Sequence, residues 1–387
     1  MENKNKKNGE EECSIDGDIL ASILSNLPLL DLDSACHVSK SWNRAVFFSL
    51  HRLKPTPWLL LYKQRKNPPY TTAATAMAYD PKSDNWIEIK TASPVEHVSD
   101  ARSSHSTLLY ALSTRRLSFS VDAFHLEWRH VASPKICRID PIVAVVGRSL
   151  IVAGGVWDFE DDRLAVEMLD VGSGEEEAWE RCESMPEYLS GSESSTWLSL
   201  AVCAGKMYVT EKRSGVACSF DPKTRSWTKL VDFSPSECGL LHSRVVGSDG
   251  NRLLVAGITG DDTDNPTGIE LWEVVSTESS PMDSKFEWIG SMPKECFEKL
   301  RGIGYGWPLT AIAFNAVGDM VYVHNAAEIG EVVAAEMEGG KLCRWRTLRN
   351  EEARGDAGER LIVACSNVSF SDLKRAFRDD LSFSVLV

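Results

Sequence analysis

The sequence predicts an all-β chain, a six-bladed β-propeller preceded by a small module of three helices. Three observations carry this prediction. Residues 15–54 have a helical spacing of apolar side chains that sets them apart from the rest of the chain. Beyond them, an Asp-Pro-Lys turn leading to a Trp recurs, closely or loosely, along the chain. Each of these units also has an earlier pair of short apolar runs joined by a Gly turn, and short strands at a period near 50 mean a propeller.

In the helical module, Ile19, Ile23 and Leu27 recur every four residues with Leu20 and Leu24 beside them, a stripe on one helix. Pro28 ends the stripe. Asp31 can cap a second helix whose apolar side is Leu32, Ala35 and Cys36. A third segment begins at Val38-Ser39-Lys40, with Trp42, Val46 and Phe47 as anchors. A module of about 40 residues buries little core alone, so it is expected to complete its core against a partner or the adjoining domain.

The run from Ile15 to Phe47 resembles an F-box. Ile23-Leu24, Leu27-Pro28, Val38-Ser39-Lys40, Trp42 and Phe47 match that motif, while its usual Leu-Pro opening is replaced by Ile15-Asp16-Gly17. The resemblance implies docking onto a Skp-type adaptor of a cullin–RING ubiquitin ligase. The residues it assigns to adaptor binding are Ile19, Ile23, Leu24, Leu27, Pro28, Leu29, Val38, Ser39, Trp42 and Phe47.

The repeat is clearest where Tyr79-Asp80-Pro81-Lys82 leads to Trp86 and Phe220-Asp221-Pro222-Lys223 leads to Trp227. Asp bonds forward to backbone N–H groups and Pro presets φ, so each copy reads as a hairpin turn. Looser copies end at Trp128, Trp179, Trp288 and Trp345, and all six Trp are expected to pack between blades. The earlier strand pair is best seen at Val145–Gly155. A Gly pair after the second strand and a Trp in the fourth resemble kelch repeats, and only Gly154-Gly155 keeps the full pair. The first blade offers three strands, and the run Leu361–Cys365 has no hairpin partner. Supplying the missing inner strand would close the ring and remove its open edges. The expected organisation is a disordered tail at 1–14, the F-box at 15–54, a propeller at 55–370 closed by a C-terminal strand, and a C-terminal tail at 371–387.

Charge and composition narrow the function. Lys plus Arg is 42 against 56 Asp plus Glu, a net charge of −14, which disfavours nonspecific nucleic-acid binding and anionic membranes. The ten Cys are never closer than 15 residues and form no C-x-x-C, so neither a disulfide framework nor a zinc site is expected. The N-terminus is polar, without the apolar region of a signal peptide. The chain reads as cytoplasmic or nuclear.

No catalytic motif emerges. G-x-S-x-G, H-E-x-x-H and the phosphate loop G-x-x-x-x-G-K-[ST] are absent. Gly302–Gly306 precedes Trp307-Pro308 rather than a helix, so it lacks the context of a dinucleotide loop. His125 and His130 flank Trp128 on what reads as a strand, which puts them on opposite faces. Acidic runs at Asp158–Asp162 and Asp261–Asp264 lack the ladder of a calcium loop and read as solvated tips. No metal or cofactor is expected.

In a propeller the second-to-third-strand loops and the blade-to-blade loops share one face. Aromatic and Arg side chains there make good interface anchors, which gives Trp157, Phe159, Tyr188, Arg213, Tyr305 and Trp307 as candidate client contacts. The whole chain resembles plant F-box/kelch proteins. The stretches DLDSACHVSKSWNRAVFFSL and AMAYDPKSDNWIEI look closest to the member that targets chalcone synthase. The resemblance implies a non-catalytic receptor, with adaptor and cullin on one side and a protein client, chalcone synthase, on the other, giving negative control of flavonoid production. A propeller enzyme and a scaffold that no longer engages a ligase are the alternatives.

Overall fold

The computed structural model describes residues 17–386 except 51, 66–71, 92–99, 173–177, 230, 234, 236–239, 249–251, 264, 276–284, 302–307, 327–330, 350–358 and 380. The tail expected at 1–14 lies outside the described residues.

Three short helices open the fold: α1 (Gly17–Leu24), α2 (Leu29–Cys36) and α3 (Lys40–Ser49). The side of α1 that packs inward is Leu20, Ala21 and Leu24, while Ile19 and Ile23 of the expected stripe face out. The second helix starts two residues before Asp31. Its N-cap is Pro28, with no side-chain cap, so the expected Asp31 cap is not formed. Ser39 caps α3 by accepting the Trp42 N–H at 3.2 Å. Val46 is buried, Trp42 half-buried, and the expected anchor Phe47 is exposed.

Six antiparallel sheets make up the remainder. From inner to outer strand, blade one is Glu359–Val368, Thr56–Arg65, Thr72–Asp80 and Asn85–Thr91. Residues 359–368 pair with 65–56 along their whole length, including Leu59 with Cys365, so the end of the chain supplies the first blade's inner strand. Blade two is Arg102–Ser103, Leu109–Leu112, Arg116–Ser120 and Arg129–Ala132. Blade three is Ile142–Val146, Ser149–Ala153, Val166–Asp170 and Glu180–Arg181. Blade four is Leu198–Cys203, Lys206–Glu211, Val216–Asp221 and Ser226–Trp227, with Val231–Asp232 also on its third strand. Blade five is Leu240–Ser248, Arg252–Gly260, Pro266–Val275 and Lys285–Ser291. Helix α4 (Lys294–Arg301) then leads to blade six, Ile312–Val317, Met320–Asn325, Glu331–Glu338 and Lys341–Arg349.

Each seam between blades has its own apolar cluster. Trp86, Trp179 and Trp227 send their indole N–H groups to carbonyls of the preceding blade or its last strand's end: Arg349 at 2.9 Å, Ala132 at 2.8 Å and Glu183 at 3.1 Å. Trp128 and Trp345 pack in their seams as well. Trp288 does not; it is 63% exposed. A register irregularity at Leu271/Trp272 shifts the outer pairing of blade five, and Phe286 fills the seam instead, edge-on to Phe233 at 6.1 Å.

The Gly pair is a geometric necessity. Gly154 and Gly155 have φ of +62° and +59°, and an added Cβ would lie 2.0 Å from the Glu193 carbonyl oxygen and 2.2 Å from the Asp140 carbonyl carbon. Buried Arg138 donates to the Gly154 and Ala165 carbonyls and pairs with buried Glu167 at 3.1 Å.

The segment expected as a tail at 371–387 is structured. Helix α5 (Phe370–Arg378) begins with a capping box between Ser369 and Asp372, and Leu381–Leu386 adds a fifth strand outside blade one. Phe370, Leu373 and Ala376 share one core with α1–α3 and with the faces of blades one and two. The helical module thus completes its core against the propeller. Lys374 of α5 is ion-paired with Asp33 of α2, and Arg375 with Glu127 of blade two.

Candidate functional site

The topology defines two opposite rims. Thr56 enters blade one paired with Val368, at the rim carrying the first-to-second and third-to-fourth strand turns. Lys82, in such a turn, donates to the Ser25 carbonyl at 3.0 Å, so the helical module sits on this rim. The second-to-third-strand loops and the blade-to-blade loops emerge on the other.

On the helical module, the ten residues expected to bind an adaptor divide into three groups. Ile19 (56% exposed), Ile23 (50%), Val38, Ser39 and Phe47 are exposed. Leu27, Pro28 and Trp42 are half-buried. Leu24 and Leu29 are fully buried and can only hold the others in place. Ile19 and Ile23 are one turn apart on one face of α1. Phe48 is exposed beside Phe47, and sequence reasoning missed it because it matches no position of the motif. Exposed apolar side chains at this density mark an interaction surface. Between α3 and α5 lies an apolar cleft of about 560 Å³, lined by Leu29, Phe47, Leu50, Leu53 and Phe370.

On the opposite rim, Trp157 and Phe159 lie in the second-to-third-strand loop of blade three. They are brought together, with ring centroids 6.2 Å apart, and Phe159 is 87% exposed. Tyr188 is exposed on a 3₁₀ turn (Glu187–Leu189) leading to blade four, and Arg213 is exposed just after that blade's second strand. Tyr305 and Trp307 lie outside the described residues. Trp197 is exposed at the start of blade four on the same rim, and the repeat pattern gave no reason to choose it.

The acidic run 158–162 is tied down by ion pairs of Asp158 with Arg163 at 2.8 Å and Asp162 with Arg181 at 2.6 Å. His125 is in a turn rather than a strand, bonded to Asp122 at 2.7 Å and to the Asp372 carbonyl at 3.1 Å. His130 is bonded to Ser118, so the two histidines serve separate contacts. Among the described residues no three His, Cys, Asp or Glu side chains converge as a metal site.

Comparison with the sequences of known proteins agrees with this layout. The F-box domain model matches residues 14–47. An F-box/kelch-repeat protein of Arabidopsis thaliana is 70% identical over 380 residues, covering 97% of this chain and 95% of its own length. Among solved structures, the β-propeller domain of Cps50 (Swd1) from Myceliophteria thermophila is 12% identical with a TM-score of 0.39, covering 70% of this chain and 80% of its own. A putative 6-phosphogluconolactonase from Bacteroides uniformis is also 12% identical, with a TM-score of 0.42, covering 80% of this chain and 100% of its own.

Proposed function

Because the chain belongs to the F-box/kelch-repeat proteins, we propose that it is the substrate receptor of an SCF-type ubiquitin ligase, working in the cytoplasm or nucleus. One observation carries this reading. Ile19, Ile23, Val38, Phe47 and Phe48 are left exposed on a helical module whose other face is already buried against the propeller. The propeller satisfies the module's own core, so these side chains are free for a Skp-type adaptor. The opposite rim, with Trp157, Phe159, Tyr188 and Arg213, is free for a protein client. The receptor supplies proximity: held beside the ligase, a client Lys sees a raised effective concentration of activated ubiquitin. It needs no catalytic group of its own.

The client we infer is chalcone synthase, with restraint of flavonoid production as the outcome. What supports it is the likeness of residues 31–50 and 76–89 to the family member with that target.

Affinity capture under proteasome inhibition tests both. Removing residues 15–54 would bare Phe370, Leu373 and Ala376, so the better control is full-length protein carrying Ile19→Asp and Ile23→Asp. Adaptor and cullin should come down with the wild type and not the variant, and clients with both. Adaptor on neither sinks the ligase reading. Chalcone synthase absent from the clients sinks that assignment alone.

A further inference from the structure

The central channel holds charge that the fold leaves uncompensated. Near the client-facing rim, a cavity of about 190 Å³ is lined by Tyr110, Ser195, Ser199, Lys212 and Arg244 among others. Lys212 is buried, and its ammonium donates to the carbonyls of Ser195 at 2.9 Å and Thr196 at 2.7 Å. An ammonium has three donors, so one remains. Arg244 is 5% exposed. One terminal nitrogen donates to the Leu309 carbonyl at 2.9 Å, the guanidinium lies 5.9 Å from the Phe314 ring centre, and Nε has no partner.

Among the described residues, neither cation has a carboxylate within ion-pair distance. The two acids close enough to influence Lys212 are committed elsewhere. Asp140 accepts from Arg102, Ser195 and Thr196. Glu211 accepts the backbone N–H groups of Arg213 and Ser214. His242 and His324 add no negative charge, and each has a buried ring nitrogen without a partner. Burial, with Arg244 adding to it, lowers Lys212 to about 7.

Arg138 is the internal comparison. It is equally buried, but Glu167 neutralises it at 3.1 Å. A buried charge without a partner costs several kcal/mol, so two such groups lining one cavity are poised for an anion, whose arrival would hold Lys212 in its protonated form. We propose that the channel mouth is a phosphate-binding site in which Lys212 and Arg244 hold the oxygens of a phosphate group, either a free ion or one carried on a phosphorylated side chain. Ser199 lines the same cavity. Its oxygen accepts the Val245 N–H at 2.9 Å, which leaves its hydroxyl hydrogen to donate. The double negative charge of phosphate matches the two cations. This site is independent of the ligase reading and stands even if adaptor capture fails.

The test is thermal unfolding and calorimetric titration of the full chain with inorganic phosphate, against chloride at matched ionic strength. A phosphoserine hexapeptide and its unphosphorylated form make the second arm. Lys212→Met and Arg244→Met are the variants. At a hundred times Kd, phosphate should raise Tm by about 3 °C. Each variant should bind at least ten-fold more weakly while its unliganded Tm holds or rises, because an uncompensated buried charge has gone. A response to free phosphate assigns the free ion, and a response to the phosphopeptide alone assigns a phosphorylated partner. The proposal is overturned if the wild type responds to neither, if both variants respond as the wild type does, or if both unfold as readily as Arg138→Met. Should Arg244→Met not fold, Lys212→Met decides.

Discussion

The indole of Trp86 in blade one donates to the carbonyl of Arg349 in blade six at 2.9 Å. The first and last blades are therefore joined by a side chain, and the ring is closed as well by residues 359–368, which follow blade six in the chain and pair with 56–65 inside blade one. The same contact recurs at Trp179 and Trp227. Trp128 and Trp345 pack in their seams without that hydrogen bond, and Trp288 alone of the six repeat Trp leaves its seam.

At blade five, Trp272 and Trp288 are cross-strand neighbours with opposite fates, one 4% and the other 63% exposed. Trp272→Ala should cost about 3–5 kcal/mol by chemical denaturation, the usual loss on emptying a core site. Trp288→Ala should stay within about 0.5 kcal/mol. Equal losses would refute the seam assignment.

Gly154→Ala should destabilise by about 3 kcal/mol or more, because both its positive φ and the Glu193 carbonyl oppose a Cβ. Gly172→Ala is the control: φ is +88°, but no atom lies within 4 Å of its Cβ, so only backbone strain remains and the loss should be smaller. Urea midpoints of the two variants separate collision from strain.

Ile23→Asp should leave Tm unchanged and reduce adaptor binding at least ten-fold, about 1.4 kcal/mol. Leu24→Ala, one residue on but buried, should cost about 2–5 kcal/mol of stability. Adaptor binding by Ile23→Asp at wild-type strength would remove α1 from the docking surface.

His242 and His324 are held down to about 4 by burial, with Arg244 adding to it. Lys212 and Arg213 also oppose protonation of His242, and Glu211 favours it. A histidine whose folded value lies below its unfolded value of about 6.5 gives full stability above that value and loses it as pH falls toward 4. Each should forfeit on the order of 3 kcal/mol by pH 4. Urea midpoints should fall below pH 6.5, and His324→Gln should lessen the fall; from pH 7 to 8 they should rise, because Lys212, lowered to about 7, loses its proton in the folded chain before the unfolded one does. A midpoint unchanged down to pH 4 would show that these rings take up protons as readily in the folded state as in the unfolded, and would refute the lowering.

Much of the architecture is legible in the sequence. The Asp-Pro-Lys turns and the Trp spacing mark the blades, and an unpartnered run at 361–365 marks the closing strand. Trp288 is not legible, because a one-residue register irregularity leaves the Trp in place in the sequence and moves it in space. Helix α5 leaves a capping box at Ser369–Asp372 and apolar spacing at Phe370, Leu373 and Ala376, but one nine-residue helix after the last repeat is a weak signal. On α1 the periodicity is clear, yet both sides of the helix carry apolar residues. Only the packed core distinguishes Leu20 and Leu24 from Ile19 and Ile23. The channel cations are invisible, because Lys212 and Arg244 are 32 positions apart on different blades.

The helical module is made first and its seat last. Residues 17–49 leave the ribosome hundreds of residues before 359–376, which complete blade one and the core beneath α1–α3. Until then Leu20, Leu24 and Leu32 have no propeller to pack against, and the ring has an open edge. A truncated or stalled chain therefore presents an unseated module and an unpaired strand, features that chaperones and proteases recognise. Only a chain translated through residue 376 can seat the helical module on a closed ring. The seated module is thereby a mark that synthesis has passed the last blade.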